Sequence, residues 1–162
     1  MKTEYRNLLP HESKIYRMIR LESLREFPDA FSASYEESVK TEKLRLEEDI
    51  ENQIPERFVT GAFVDNELSG ICAFANFGNN TGNILQMYVK KGFQGSNIGM
   101  GLVQTAIQEA KSRFHDIAIE LEVRADNVKA FNLYKKAGFQ EIDNNAQETS
   151  DIIVMRYSGN TI

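Results

Sequence analysis

The stretch Ile84–Ile107, ILQMYVKKGFQGSNIGMGLVQTAI, decides the fold because it joins a strand-like segment to a helix through a glycine-rich turn. Apolar residues after the turn recur at the three- and four-residue spacing of a helix face: Leu102, Val103, Ala106, Ile107 and Ala110. A helix start without side chains lets an anion reach unpaired backbone amides and the positive end of the helix dipole. The stretch therefore predicts a strand, an anion-binding turn and a helix.

Two common phosphate-binding loops do not fit this turn. The chain has no GxxxxGK[ST] motif, which excludes a nucleoside-triphosphate P-loop. The letters GSNIGMG do not supply the GxGxxG of a dinucleotide fingerprint either. The alternatives that remain are another phosphate-containing ligand and a glycine-rich turn without a ligand.

Composition narrows the class of protein. With 162 residues, 41% of them hydrophobic, we expect one domain with its own core over residues 1–162. The sequence has no run of 18 apolar residues and no signal peptide, so we expect a cytoplasmic protein without a membrane partner. A net charge of −5 argues against nucleic acid as a partner. The lone Cys72 predicts a buried thiol, and the separated His11 and His115 predict no metal site.

The rest of the chain predicts the order strand, two helices, three strands, helix, strand, helix and two strands. A first helix is expected over Pro10–Phe27, with Ile15, Met18 and Ile19 facing the core. A second is expected over Val39–Gln53. Strict alternation in IAIELEV predicts a strand with one buried face. This mixed order favours an α/β or α+β sandwich over a fully alternating fold.

The segments LQMYVKKGFQGSNIGMGLVQTAI and LEVRADNVKAFNLYKKAGF together resemble the two core motifs of the GCN5-related N-acetyltransferases, the GNAT superfamily. The resemblance is close over Ile84–Phe139. The first motif, [QR]-x-x-G-x-[GA], corresponds to Gln94–Gly99, with Asn97 where the motif has its first glycine; asparagine tolerates a positive φ. The second motif, N-x-x-A-x-x-L-Y-x-x-x-G-F, is matched at every specified position: Asn127, Ala130, Leu133, Tyr134, Gly138 and Phe139.

This resemblance implies a fold and a cosubstrate. The fold is a mixed, mostly antiparallel central sheet of six to seven strands flanked by about four helices, with a splay between the fourth and fifth strands. The cosubstrate is acetyl-CoA (coenzyme A), with its pyrophosphate on the turn, its pantetheine along ILQMYV, and no metal. The implied cofactor-binding residues are Met87, Tyr88, Val89, Gln94, Gly95, Ser96, Asn97, Ile98, Gly99, Met100, Asn127 and Tyr134.

The implied activity is N-acetyltransfer to a primary amine of a small molecule or peptide, by direct attack in a ternary complex. The resemblance makes Tyr134 the general acid, since the family places this hydroxyl near the CoA sulfur; otherwise Tyr134 is a packing residue. A phenol is protonated at neutral pH and can donate. Asn127 is also expected to cap a helix.

The general base stays open, because ILQMYV lacks the glutamate that some family members carry on this strand. Glu120 and Glu122, on the polar side of the next strand, are candidates; the alternative for them is an ion pair with Arg124 or a lysine. A buried tyrosine or a chain of waters could also accept the proton.

A second class of function is a non-catalytic acyl-CoA-binding sensor module, suggested by Asn97 and by the missing carboxylate. Edge strands at the chain end would allow a homodimer. The acceptor amine is expected to depend on the first two helices and on the loops GNNTGN and DNNAQETSD, which carry no readable motif.

Overall fold

A computed structural model describes residues 2–28, 33–142 and 151–159. These residues contain seven strands in one sheet: β1 (Thr3–Asn7), β2 (Arg57–Val64), β3 (Glu67–Asn76), β4 (Thr81–Val89), β5 (Ala118–Arg124), β6 (Phe139–Glu141) and β7 (Ile152–Tyr157). Their spatial order is β1-β2-β3-β4-β5-β7-β6. Neighbouring strands are antiparallel except for β4 and β5, which are parallel. The expected mixed, mostly antiparallel sheet is confirmed.

A 3₁₀ turn (Pro10–Glu12) and five α-helices are present in the described ranges: α1 (Ser13–Glu26), α2 (Tyr35–Lys40), α3 (Arg45–Asn52), α4 (Ile98–Arg113) and α5 (Val128–Ala137). None of these helices is long and apolar enough to cross a lipid bilayer. The loop segment DNNAQETSD lies mostly outside the described residues.

The single helix expected over Val39–Gln53 is wrong, since α2 and α3 are separate. The Arg17 guanidinium donates to the Thr41 carbonyl at 2.7 Å, which satisfies the backbone where α2 ends. Leu44 is extended, and its amide donates to the Glu47 carboxylate at 2.9 Å, so α3 begins anew at Arg45. Side-chain caps at both ends of the link therefore interrupt the helical pattern.

The face that α1 buries also differs from the expected one. Ile19 is buried, but Ile15 and Met18 are 38% and 71% exposed. The buried positions are Ser13, Tyr16, Ile19, Arg20, Ser23 and Leu24, which follow the helical spacing but include polar side chains. The buried face of α1 therefore combines apolar side chains with long side chains that have a polar tip, such as Tyr16.

Each face of the sheet packs against its own helices. On one face, α4 packs against β1 to β4 and α5 packs against β5 and β6, with Phe74, Leu102 and Ile119 in the core. On the other face, α1 and α3 cover β2, β3 and β4, with Tyr16, Ile50 and Ile71 buried. The alternation in β5 is as expected, since Ile119, Leu121 and Val123 all lie in the α4–α5 core.

Strand β4 is irregular in two ways. Its pairing with β5 covers only Thr81–Asn83, so the two strands separate beyond that point. Its pairing with β3 shifts by one residue, because Ile71 is opposite Tyr88 whereas Ala73 is opposite Leu85. This shift is a β-bulge, which leaves main-chain groups outside the regular ladder.

Helix α1 is held to α3 by a buried carboxylate. The Glu47 side chain is fully buried and contacts Arg17 at 2.6 Å and Lys14 at 3.1 Å. Burial alone would raise the pKa of Glu47, but hydrogen bonds from the Leu44 amide, Arg17 and Lys14 outweigh burial and lower it. A carboxylate with a lowered pKa stabilises the fold above its unfolded-state pKa. That stability is lost as pH falls through the folded-state value.

We expect Glu47→Ala to lower the free energy of unfolding by about 3 kcal/mol at pH 7, because two cations lose a buried partner. The difference from wild type should shrink as the pH falls below 4. Urea denaturation at several pH values measures both effects, with the exposed neighbour changed in Glu48→Ala as the control. Equal losses in the two variants would contradict the assigned role.

Candidate active site

The turn between β4 and α4 holds left-handed backbone at three positions. Gly92, Gly95 and Asn97 have φ values of 97°, 86° and 62°. A side chain atom added at Gly92 or Gly95 would meet nothing within 4 Å, so backbone conformation rather than crowding requires glycine there. Asn97 is the N-cap of α4 and takes the left-handed conformation that a glycine would take in the motif.

The amide nitrogens of residues 94–100 donate no hydrogen bond to any residue that the structure describes. The first helical bond of α4 runs from the Gly101 amide to the Asn97 carbonyl at 3.1 Å. The Gln94 side chain closes the turn by donating from Nε2 to the Val89 carbonyl at 2.9 Å. An exposed turn with a run of undonated amides at a helix N-terminus is chemically suited to a diphosphate.

The bulge in β4 divides its side chains between the two faces of the sheet. Ile84, Met87 and Val89 pack towards α4 and α5. Leu85 and Tyr88 pack towards α1 and α3. Gln86 also contacts α1, so two consecutive residues lie on one face, as a bulge requires.

Helix α4 approaches β4 closely at the bulge. A side chain atom added at Gly99 would lie 3.0 Å from Met87 Cε and 3.2 Å from Leu133 Cδ2. Gly99 therefore lets β4, α4 and α5 meet just after the turn.

The edge of β4 that faces β5 is left without a strand partner from Ile84 onwards, because the pairing of these two strands ends at Asn83.

Tyr134 lies on α5 and is 7% exposed. Its ring packs edge-on against Phe139 at 6.0 Å between centroids. Burial, followed by the neighbouring Cys72, raises the pKa of Tyr134, so the phenol is protonated at neutral pH. Cys72 is buried as expected, and burial raises the pKa of its thiol to about 12. The tyrosine thus packs in the α4–α5 core and also keeps a proton that it can donate.

Three further site residues that the sequence predicts lie on β5 or shortly after it. Asn127 caps α5, since its Oδ1 accepts from the Ala130 amide at 3.1 Å. Glu120 accepts from Arg156 Nε of β7 at 2.9 Å, whereas Arg124 or a lysine was the expected partner. Arg124 pairs instead with Asp126. Glu122 is exposed and forms no ion pair within the described part of the chain.

Sequence motifs missed a group of side chains between α1 and β4. The Tyr16 hydroxyl donates to Gln86 Oε1 at 2.7 Å. The Tyr88 hydroxyl donates to Glu22 Oε2 at 2.7 Å. Burial, and then Glu22, raises the pKa of Tyr88, so it too is protonated at neutral pH. No spacing in the sequence signals these contacts, because they depend on where the bulge falls.

The family model for the acetyltransferase (GNAT) family matches residues 22–139, which is more than half of the chain. The chain therefore belongs to the GNAT acetyltransferase family.

Curated relatives match over shorter stretches. An N-alpha-acetyltransferase of Sulfurisphaera tokodaii is 34% identical over 61 residues, which are 38% of this chain and 36% of that protein. A streptothricin acetyltransferase of Escherichia coli is 35% identical over 79 residues, 49% of this chain and 45% of that protein. The matched part thus spans less than half of either relative.

Solved structures match over nearly the whole chain. A PaiA N-acetyltransferase of Thermoplasma acidophilum, in complex with coenzyme A, superposes with a TM-score of 0.73 at 24% identity. The superposition covers 97% of this chain and 99% of that one. An acetyltransferase of the GNAT family from Streptococcus pneumoniae gives a TM-score of 0.71 at 18% identity, with 96% and 98% covered. At these identities the likeness establishes the fold.

We expect Asn97→Gly to bind coenzyme A at least as well as wild type and Asn97→Val to bind it roughly tenfold more weakly, because a β-branched residue resists positive φ. Isothermal titration with coenzyme A measures both. Asn52→Val, at an exposed position of α3, is the matched control. If the Asn97→Val protein bound coenzyme A with unchanged affinity, the left-handed conformation at residue 97 would not be required for cofactor binding.

Proposed function

We propose that this chain is an acetyl-CoA-dependent N-acetyltransferase that acetylates a primary amine of a small molecule or peptide by direct attack in a ternary complex. The observation that carries the proposal is the run of undonated amides over residues 94–100, which follows the part of β4 that is not paired with β5. Family membership supports the same activity. The curated relatives, a streptothricin acetyltransferase and N-alpha-acetyltransferases, support both classes of acceptor.

Coenzyme A fits the groups that the chain offers. We assign its pyrophosphate to the amides of Gln94, Gly95, Ser96, Asn97, Ile98, Gly99 and Met100, and its pantetheine to the main chain of Met87, Tyr88 and Val89. Acetyl-CoA supplies an activated acetyl group whose thiol can leave. Backbone donors that are fixed before the cosubstrate arrives need no reorganisation when it binds. Asn127, at the N-terminus of α5, is assigned a contact with the CoA arm in addition to its capping bond.

Tyr134 is assigned as the hydrogen-bond donor to the leaving sulfur. A thiol titrates near ~8.5, and the pKa of Tyr134 is raised above that of an ordinary phenol, so complete proton transfer to the thiolate is unfavourable. Donation of a hydrogen bond costs no such transfer and still stabilises the developing negative charge. The burial that fixes the ring also fixes the direction of donation.

The base is assigned among the carboxylates with access to solvent. The carboxylate of Glu120 is already paired with Arg156. Glu122 is two residues further along the same face of β5 and is exposed, which favours it over Glu120. A chain of waters that carries the proton from the amine to Glu122 would require no direct contact between Glu122 and the amine.

We also propose a cytoplasmic location, a single domain over residues 1–162 and a homodimer formed through an edge strand. β1 and β6 lie at the two edges of the sheet. An edge strand has unpaired main-chain groups that a second copy could pair with.

Thiol release from acetyl-CoA in the presence of an amine panel tests the activity. The panel should include a diamine, an aminoglycoside-like amine, an amino acid and a peptide with a free N-terminus. We expect release that depends on at least one amine. Tight coenzyme A binding without turnover on any amine would favour a non-catalytic acyl-CoA-binding module, the second candidate, which Asn97 and the absence of a carboxylate on β4 suggest.

We expect Tyr134→Phe to lower kcat by about 100-fold and to change the affinity for coenzyme A little, because loss of one fixed hydrogen-bond donor to developing negative charge typically costs about that much. Steady-state kinetics and coenzyme A titration separate the two quantities. Tyr157→Phe is the control, since the Tyr157 ring also packs against Phe139. If kcat stays at the wild-type value in Tyr134→Phe, the tyrosine is only a packing residue.

A further inference from the structure

We propose that the hydrogen bond from Tyr16 to Gln86 is a positioning device that holds the β4 bulge and thereby sets the main chain of residues 86–88 for acetyl transfer. This inference rests on the proposed function. It adds two residues, one on α1 and one on β4, that no motif contains.

Gln86 has an unfavourable backbone conformation. Its φ is 49°, within a strand and at a residue other than glycine. Such conformations are unfavourable and persist only when surrounding contacts impose them. Asparagine or glycine would adopt this φ more easily, so the longer glutamine side chain must supply the compensating contact.

The compensating contact is the hydrogen bond with Tyr16. The ring of Tyr16 is 1% exposed, and its hydroxyl donates to Gln86 Oε1 at 2.7 Å. A buried hydroxyl that lost this acceptor would be left without a hydrogen-bond partner, which is unfavourable. The bond therefore favours the bulged register over a regular one.

Tyr16 can act in this way because α1 is itself fixed. Lys14 and Arg17, on either side of it, bind the buried Glu47 of α3. Ser13 donates to Glu51, also on α3, at 2.7 Å. The hydroxyl of Tyr16 is thus presented to β4 from a helix that has little freedom to move.

The position of the bulge decides which way the following side chains point. A one-residue slip in a strand moves every later side chain to the opposite face. With the bulge, Met87 faces Gly99 of α4 and Tyr88 reaches Glu22 of α1. Without the bulge, the side chains of Met87 and Tyr88 would each point to the opposite face of the sheet and lose these contacts. The main chain that we propose aligns the pantetheine would change its orientation as well. Misplacement of about 1 Å can cost roughly 100-fold in rate.

The test uses the full chain with Tyr16→Phe, Gln86→Leu and Gln86→Glu. We expect Tyr16→Phe and Gln86→Leu each to lower kcat roughly 10- to 100-fold. Affinity for coenzyme A should fall less than kcat does, because the pyrophosphate is held by a separate turn. Gln86→Glu keeps an oxygen acceptor for the hydroxyl and should keep most of the turnover. The double variant Tyr16→Phe/Gln86→Leu should be no worse than the worse single variant, since both remove one interaction.

Hydrogen exchange followed by mass spectrometry gives a readout that needs no activity. We expect Tyr16→Phe to accelerate exchange in the peptide that covers residues 84–89, and to leave the peptide that covers β5 unchanged. Tyr157→Phe, which removes a hydroxyl elsewhere, should change neither exchange nor turnover.

Wild-type turnover retained in both Tyr16→Phe and Gln86→Leu would overturn the inference, as would unchanged exchange at residues 84–89. A uniform loss of stability with weaker coenzyme A binding would also overturn it, because that result describes general unfolding. If the wild-type chain acetylates no amine, the proposed function fails, and the exchange data alone then decide whether Tyr16 holds the bulge.

Discussion

The interruption of β4 is the constraint on which the rest of the structure depends. The strand pairs with β5 over three residue pairs and then separates from it, while the bulge at Gln86 shifts its register against β3. A sheet normally satisfies every main-chain amide and carbonyl of an internal strand, so leaving one edge unpaired is costly unless a ligand or water takes the place of the missing strand. This cost supports the proposal that pantetheine, an extended ligand with amide groups of its own, lies along β4.

The raised pKa values of the buried tyrosines limit their chemical roles. Burial raises the pKa of Tyr16, Tyr88 and Tyr134, so each hydroxyl is protonated at neutral pH and each is a donor. A group that cannot ionise near pH 7 is a poor acceptor for the proton of an ammonium substrate. A buried tyrosine, which the sequence left open as the general base, is thus disfavoured on physical grounds. The remaining candidates for the general base are a carboxylate and water.

Local features were readable from the sequence and long-range ones were not. The turn before α4, the alternation of β5 and the cap by Asn127 each depend on residues within one or two helical turns of each other, and periodicity or motif spacing reports them. The inward face of α1 and the partner of Glu120 depend on distant elements, namely β4 and β7. Splitting of the expected helix at Thr41–Leu44 required the side chain of Arg17, 24 residues from Thr41. Gln86 shows the limit clearly, since ILQMYV reads as an ordinary strand until the register with β3 is known.

Stability and the candidate site are connected through α1. Glu47 binds Lys14 and Arg17, and Tyr16 lies between these two in sequence, so the same two turns of helix anchor to α3 on one side and reach the bulge on the other. Protonation of Glu47 at low pH would remove the anchor before it disturbed the α4–α5 core, because the described ion pair of α4, Arg113–Glu109, is partly exposed, whereas Glu47 is fully buried. Loosening of α1 in acid would misplace the bulge, while the turn at residues 94–100, which we propose binds the diphosphate, would be unaffected. If α1 connects Glu47 to the bulge in this way, turnover is lost in acid before coenzyme A binding is lost, and α1 loosens. Titration of a catalytic group alone would not loosen α1.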